Sequence, residues 1–137
     1  MVTAVDTSVL LDVLLNDFQH APASISALRQ ASVEGSLILG EVVLAEIEPT
    51  LPAADLPPFL SDWNLTFVPS SQTSAILAGE MFRTYLQRGG KRERVLPDFL
   101  VGAHAQILAA RLLARDRGYY RDYFKQLKLW DPSVGSR

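Results

Sequence analysis

The chain has 137 residues, 48% of them hydrophobic, which suits one domain spanning residues 1–137 with a core of its own and argues against a second domain. It contains no cysteine, which excludes disulfides, thiolate metal sites and a cysteine nucleophile and fits a reducing compartment. The formal net charge of −2 hides an asymmetry, because residues 1–82 carry ten acids against Arg29 alone whereas residues 83–137 carry twelve bases against five acids.

That asymmetry fits either an anionic partner or a solvated charged surface. The N-terminus lacks a basic leader, and no apolar run approaches the roughly 18 residues of a membrane span, so a soluble cytoplasmic protein with no membrane partner is expected. Thr3 to Val5 begin an apolar β-type segment, and Asp6-Thr7-Ser8 offers helix N-caps before Val9, Leu10, Leu11, Val13, Leu14 and Leu15. Asp6 therefore stands at a strand–helix junction, either as a cap or as a site acid. Pro22 and Ser24 lead a second amphipathic helix through Ile25, Leu28 and Val33, ended near Glu34-Gly35, and Ser36 to Leu39 reads as a buried strand.

Glu41 to Glu48 is a helical segment stopped by Pro49, with Glu46 inside an apolar surround of Val42, Val43, Leu44, Ala45 and Ile47. Pro52 to Leu60 reads as a short helix or turn, and Leu65 to Val68 as a strand. Ser70 and Ser71 cap a long helix whose apolar positions, among them Ala75, Ala78, Phe82 and Leu86, recur at helical spacing until Gly89-Gly90. The loop from Arg88 to Arg94 is basic, with Lys91, Arg92 and Arg94 suited to a phosphate backbone.

Pro97 suits the first turn of the next helix and sets Asp98 beside its positive end, where the carboxylate is expected to stay ionised. Small residues (Gly102, Ala103, Ala105, Ala109, Ala110) let that helix lie close to a sheet. Leu112 to Arg115 reads as a strand, with Asp116-Arg117-Gly118 as the turn after it. Tyr119, Tyr120, Tyr123 and Phe124 then alternate with cations, a pattern that can stack bases but more often packs the end of a small core. Leu127 to Trp130 is a last apolar segment, ended by Pro132. The alternation of strands and helices argues for an α/β fold with a mainly parallel sheet covered on both faces.

In such folds ligands collect at the carboxyl ends of strands, and Asp6, Glu46, Asp98 and Asp116 can all reach that edge. Two like charges ~5 Å apart repel by about 3 kcal/mol at an effective dielectric of ~20, so a cluster of acids calls for an offsetting cation. Mg²⁺ binds through one or two carboxylates while keeping waters for contact with substrate phosphate.

The segments AVDTSVLLDVLL, LILGEVVLAEIEPTL, VLPDFLVGAHA, LLARDRGYYRDYF and LKLWDP, in that order, resemble a PIN-domain ribonuclease of the VapC toxin type over nearly the whole chain. The resemblance implies a small α/β/α sandwich, usually a homodimer, that hydrolyses RNA with Mg²⁺ or Mn²⁺ and is restrained by a VapB-like antitoxin covering the acidic groove. Carried over by position, it implies that Asp6, Glu46, Asp98 and Asp116 bind metal, and that Thr7 or Ser8 positions a water. Arg117 joins Lys91, Arg92 and Arg94 as a candidate RNA contact.

Glu41 competes with Glu46 for the same role, but Glu46 has the matching context VLAEIE. Asp122, six residues after Asp116, reads as a surface or ion-paired acid. His104 lies about 120° from Asp98 around a helix axis and reads as structural. Two other classes compete. An Asp followed by Thr-Ser after the first strand also resembles a haloacid-dehalogenase-type phosphatase, although the second Asp and the later Lys of that pattern are missing. A PIN-like module that binds RNA or a partner without catalysis is the non-enzyme alternative.

Overall fold

The computed structural model describes residues 1–92 and 94–134; Glu93, inside the basic loop, and residues 135–137 lie outside the described residues. The elements follow as β1 (Val2–Val5), α1 (Thr7–Leu14), α2 (Ala21–Glu34), β2 (Ser36–Leu39), α3 (Glu41–Ile47), α4 (Leu56–Asp62), β3 (Leu65–Phe67), α5 (Gln72–Gln87), α6 (Leu96–Leu108), β4 (Arg111–Leu113), α7 (Tyr119–Tyr123) and β5 (Leu129–Trp130). Short 3₁₀ turns occupy Glu48–Thr50, Ala53–Asp55 and Pro132–Val134.

The five strands form one wholly parallel sheet in the order β3-β2-β1-β4-β5. The expected α/β/α sandwich is therefore what the chain forms. β1 sits at the centre, with Val5 opposite Leu113 of β4 and Ala4 opposite both Ile38 of β2 and Leu112 of β4. Central parallel strands are covered on both faces and read as unbroken apolar runs, which is why Ala4, Val5, Leu37, Leu39, Leu112 and Leu113 are all buried. The chain leaves β1 toward β2 on one side, whereas β4 pairs on the other. The carboxyl ends of β1 and β4 are thus the switch point, where a crevice opens.

α6 packs against α5, with Phe99 of α6 meeting Phe82 and Tyr85 of α5. Phe99 is fully buried at the centre of an aromatic cluster, 5.3 Å from Tyr123 and 5.6 Å from Tyr85 between ring centroids, with Phe82, Tyr119 and Phe124 around it. The aromatics after Asp116 therefore pack the end of the core, and Tyr119 to Tyr123 form a short helix where no element was expected. Arg88 lies over the Tyr123 ring, 5.2 Å from its centre.

Several boundaries differ from the sequence reading: β3 ends at Phe67, β5 begins at Leu129, and α6 ends at Leu108, before Ala109 and Ala110. β4 begins at Arg111 and ends at Leu113, so Arg115 lies beyond the strand. Arg111 is wholly buried, donating from Nε to Thr3 Oγ1 and from Nη2 to Glu34 while stacking over Trp130, which lets a cation open the strand. Val33, assigned to the apolar face of α2, is 87% exposed, because the buried face runs through Ala21, Ser24, Ala27, Leu28 and Ala31.

Gly102 of α6 faces Phe124, and a Cβ there would stand 2.6 Å from its ring. Phe124 is buried against Phe99 and has little room to yield. Gly102→Ala should lower stability by roughly 1–2 kcal/mol, the overpacking outweighing the gain in helix propensity. A thermal melt checks this, and an unchanged or raised Tm would show that the ring moves aside.

Candidate active site

Asp6 is the first residue after β1, and its backbone N–H donates to Leu113 O of β4 at 2.9 Å, so the sheet itself fixes its position. It also caps α1. Ser8 donates to Oδ2 from its backbone N–H at 3.2 Å and from its hydroxyl at 2.6 Å, and the Tyr120 hydroxyl donates to Oδ1 at 2.9 Å. The cap and site readings of Asp6 are therefore compatible, since one carboxylate does the first while bordering the crevice.

That crevice has a volume of about 300 Å³, and Asp6, Glu46, Asp98 and Asp116 all line it. Glu46 comes from α3, and its Oε1 accepts the Thr7 hydroxyl at 2.6 Å. Asp98 comes from the first turn of α6 and pairs with Arg117 at 2.7 Å. Asp116 is held by the start of α7, where Oδ1 accepts the N–H groups of Gly118 and Tyr120 at 2.8 and 3.3 Å and Oδ2 accepts that of Arg121 at 3.1 Å. Gly118 turns the chain into that arrangement with φ at 111°, a conformation natural to glycine.

Asp98 is less readily ionised than its place at a helix N-terminus alone implies. Burial pushes its carboxyl above the ordinary range; the Arg117 guanidinium pulls it back, and the charges of Asp6 and Glu46 add to the rise. The helix N-terminus does not outweigh desolvation here. Tyr120 rises well above the usual phenol value, by burial first and then by the charge of Asp6, so it remains a neutral donor to Asp6.

The other acids separate from the site. Glu41 lines a different, smaller cavity of about 10 Å³ with Ser70 and His104, and its Oε1 accepts the Ser70 N–H at 2.9 Å. Burial pushes the Glu41 carboxyl up, but backbone hydrogen bonds from Glu41 itself and Ser70 leave it below the usual value. His104 is buried with Nε2 2.6 Å from Val68 O, which makes that nitrogen the donor and the residue structural. Asp122 is exposed and pairs with Arg121. Lys91, Arg92 and Arg94 are exposed in the loop before α6 and do not line the crevice, whereas Arg117 does.

Sequence reasoning passed over Arg115 and Tyr120, which also line the crevice, and Asp12 behind them. Asp12 offered a signal, since a carboxylate within the apolar run VLLDVLL implies a buried partner. That partner is Arg115, which grips Asp12 through Nε and Nη2 at 2.9 and 2.8 Å.

The donor set bears on a metal. Among the described residues no three carboxylate or imidazole groups stand close enough to make a ready-made cage. The crevice nonetheless offers only hard oxygen ligands, and the charges of Asp6 and Glu46 both act on Asp98. A cation held by one or two carboxylates and several waters, as Mg²⁺ or Mn²⁺ is, fits these residues better than one needing a full protein cage. The phosphatase pattern lacks its cation, since the basic side chains lining the crevice are Arg115 and Arg117.

No protein-family model matches the chain, and no curated protein matches it in sequence. Solved structures do match. A chain in the crystal structure of VapBC2 from Rickettsia felis bound to a DNA fragment from its promoter superposes with a TM-score of 0.73 at 21% identity, covering 96% of this chain and 100% of that one. A chain of VapBC-1 from nontypeable Haemophilus influenzae gives 0.72 at 13% identity, over 97% and 99%. One of FitAcB from Neisseria gonorrhoeae gives 0.70 at 17% identity, over 95% and 97%. At such identities the likeness is one of fold, and the chain has the PIN-domain fold of VapC-type structures.

A raised carboxyl pKa means that the ionised form is disfavoured on folding, at a cost present above the raised value and relieved as the pH falls through it toward 3.8. Asp98→Asn should therefore melt higher than the wild type in metal-free buffer at pH 7, by a few degrees at most because the lost Arg117 pair is solvent-screened. The gap should close as the pH is lowered toward 4. A gap independent of pH would mean that Asp98 is not under this strain.

Proposed function

We propose that the chain is a single PIN domain acting as a Mg²⁺- or Mn²⁺-dependent endoribonuclease, the toxin of a cytoplasmic toxin–antitoxin pair, and that it works as a homodimer. The observation that carries this reading is the convergence of four carboxylates, from β1, α3, α6 and the turn after β4, on one crevice at the switch point of a parallel sheet. The fold shared with chains of VapBC and FitAB assemblies supports the toxin assignment and, with it, a VapB-like antitoxin that covers the acidic crevice.

Asp6, Asp98 and Glu46 are the residues that would hold the cation. When bound, it supplies Lewis acidity toward a phosphodiester and toward the attacking water. Ser8 and Tyr120 fix the Asp6 carboxylate from two sides, so its remaining lone pairs keep one direction. Thr7 fixes Oε1 of Glu46 and leaves Oε2 to accept a proton from water. Arg117, three-quarters exposed, can exchange Asp98 for a substrate phosphate.

One feature favours a non-catalytic binding module instead: Arg117 already neutralises Asp98, and three backbone N–H groups occupy Asp116. Asp98 is the better residue to test, because Asp116 also holds the start of α7. Purified protein should cleave a panel of transfer, ribosomal and messenger RNA with Mg²⁺ or Mn²⁺ and not with chelator. Asp98→Asn should reduce the rate by about a hundredfold or more. Cleavage in chelator, or wild-type rates from the variant, would sink the nuclease. If neither protein cuts, a melting temperature unmoved by millimolar Mg²⁺ or Mn²⁺ selects the binding module.

The exposed loop gives a second test. Replacing Lys91, Arg92 and Arg94 with Gln should weaken binding to single-stranded RNA and reduce the salt slope by up to about 2, given a slope near 0.7 per phosphate contact. An unchanged slope would make the loop solvated surface only.

A further inference from the structure

We propose that Arg115 is a pre-oriented phosphate-binding residue of the crevice, with Asp12 and Ser24 as the residues that position it. This rests on the nuclease reading for the identity of the substrate. Arg115 meets Asp12 edge-on: Nε–H donates to Oδ2 at 2.9 Å and Nη2–H to Oδ1 at 2.8 Å. Asp12 is itself immobile, its side chain only 2% exposed and its Oδ2 accepting the hydroxyl of wholly buried Ser24 at 2.7 Å. The backbone is clamped too, since the Arg115 N–H donates at 3.1 Å to Ser8 Oγ, the hydroxyl that donates to Asp6.

A guanidinium has five N–H groups. The edge given to Asp12 uses the Nε–H and one N–H of Nη2, leaving both N–H groups of Nη1 and the outer one of Nη2. Those remaining groups form an end-on fork spaced to bind two oxygens of one phosphate. Arg115 borders the same crevice as the four acids, and its side chain is about one-third exposed.

Arg111, at the opposite end of β4, is wholly buried and leaves its Nη1 without a hydrogen-bond partner, whereas the outer edge of Arg115 opens on the crevice. Here the pair is neutral as a unit and rigid, so the fork contributes directional donors with little side-chain entropy left to lose on binding. Arg117 is different in kind, a mobile cation on Asp98 with a mostly exposed side chain. The two arginines therefore divide the work, Arg115 fixing where a phosphate sits and Arg117 moving to accommodate it.

The test uses a short single-stranded oligoribonucleotide, its binding read by fluorescence anisotropy in Ca²⁺ and its cleavage in Mg²⁺ or Mn²⁺. Arg115→Lys keeps a charge beside Asp12 but has no fork, and should raise Kd and KM about tenfold while the melting temperature stays within a few degrees. Asp12→Asn, which leaves Arg115 in place but breaks the edge-on grip, should weaken binding similarly, and the double variant should be no weaker than the worse single one. If Asp12→Asn does not fold, Arg115→Lys alone decides. Kd within twofold of wild type for folded Arg115→Lys overturns the proposal, and so does a wild-type protein that binds no oligonucleotide. Binding that depends on Arg115 without cleavage by the wild type supports this inference and fails the nuclease reading. Asp98-dependent cleavage unaffected by Arg115→Lys does the reverse.

Discussion

Carboxylates gathered at one end of a parallel sheet repel one another, and much of the structure around β1 and β4 consists of donors that hold them in place. Each site acid has its own holder: Ser8 and Tyr120 for Asp6, Thr7 for Glu46, Arg117 for Asp98, and the first N–H groups of α7 for Asp116. The restraint is incomplete at Asp98, whose carboxyl stays above its ordinary value despite Arg117. Residual strain of this sort would be relieved by the cation proposed for the crevice, since Arg117 offsets it only in part.

The sheet topology explains why such distant residues can share one crevice. With β1 central and β4 beside it, the residues after each strand emerge side by side, and the bond from Asp6 N–H to Leu113 O carries the pairing one step past the strand end. The register that sets Val5 opposite Leu113 brings the turn carrying Asp116 to the edge where Asp6 emerges, and both acids line one crevice. α3 follows β2, the other neighbour of β1, and brings Glu46 to the same edge.

The fold was largely legible because the apolar period changes cleanly between short strands and longer helices. Three of the acids were legible for a related reason, Asp6 and Asp116 lying after strands and Asp98 at a helix start, whereas Glu46, near the end of α3, was reached through the resemblance of its context VLAEIE. Their holders were not legible. Tyr120 lies 114 residues from Asp6 and Arg115 lies 103 from Asp12, and no local spacing encodes a pairing across such separations. Asp98 was legible in position but not in environment: the helix-end argument placed it correctly and missed that burial and neighbouring acids push its carboxyl upward against the favourable helix terminus. α7 was missed because five residues are too few to show a helical period.

That short helix couples the aromatic core to the crevice. Tyr119, Tyr123 and the following Phe124 pack around Phe99, while Asp116 caps the helix start and the Tyr120 hydroxyl reaches Asp6. A five-residue helix has almost no stability of its own, so its position is owed to that packing. The ring cluster consequently sets the direction of the Asp6 and Asp116 carboxylates, even though no ring carbon takes part in any chemistry there. Loosening the cluster removes the donors to Asp116 and one of those to Asp6, which makes the apolar packing under α7 a determinant of crevice geometry beside the hydrogen bonds that line it.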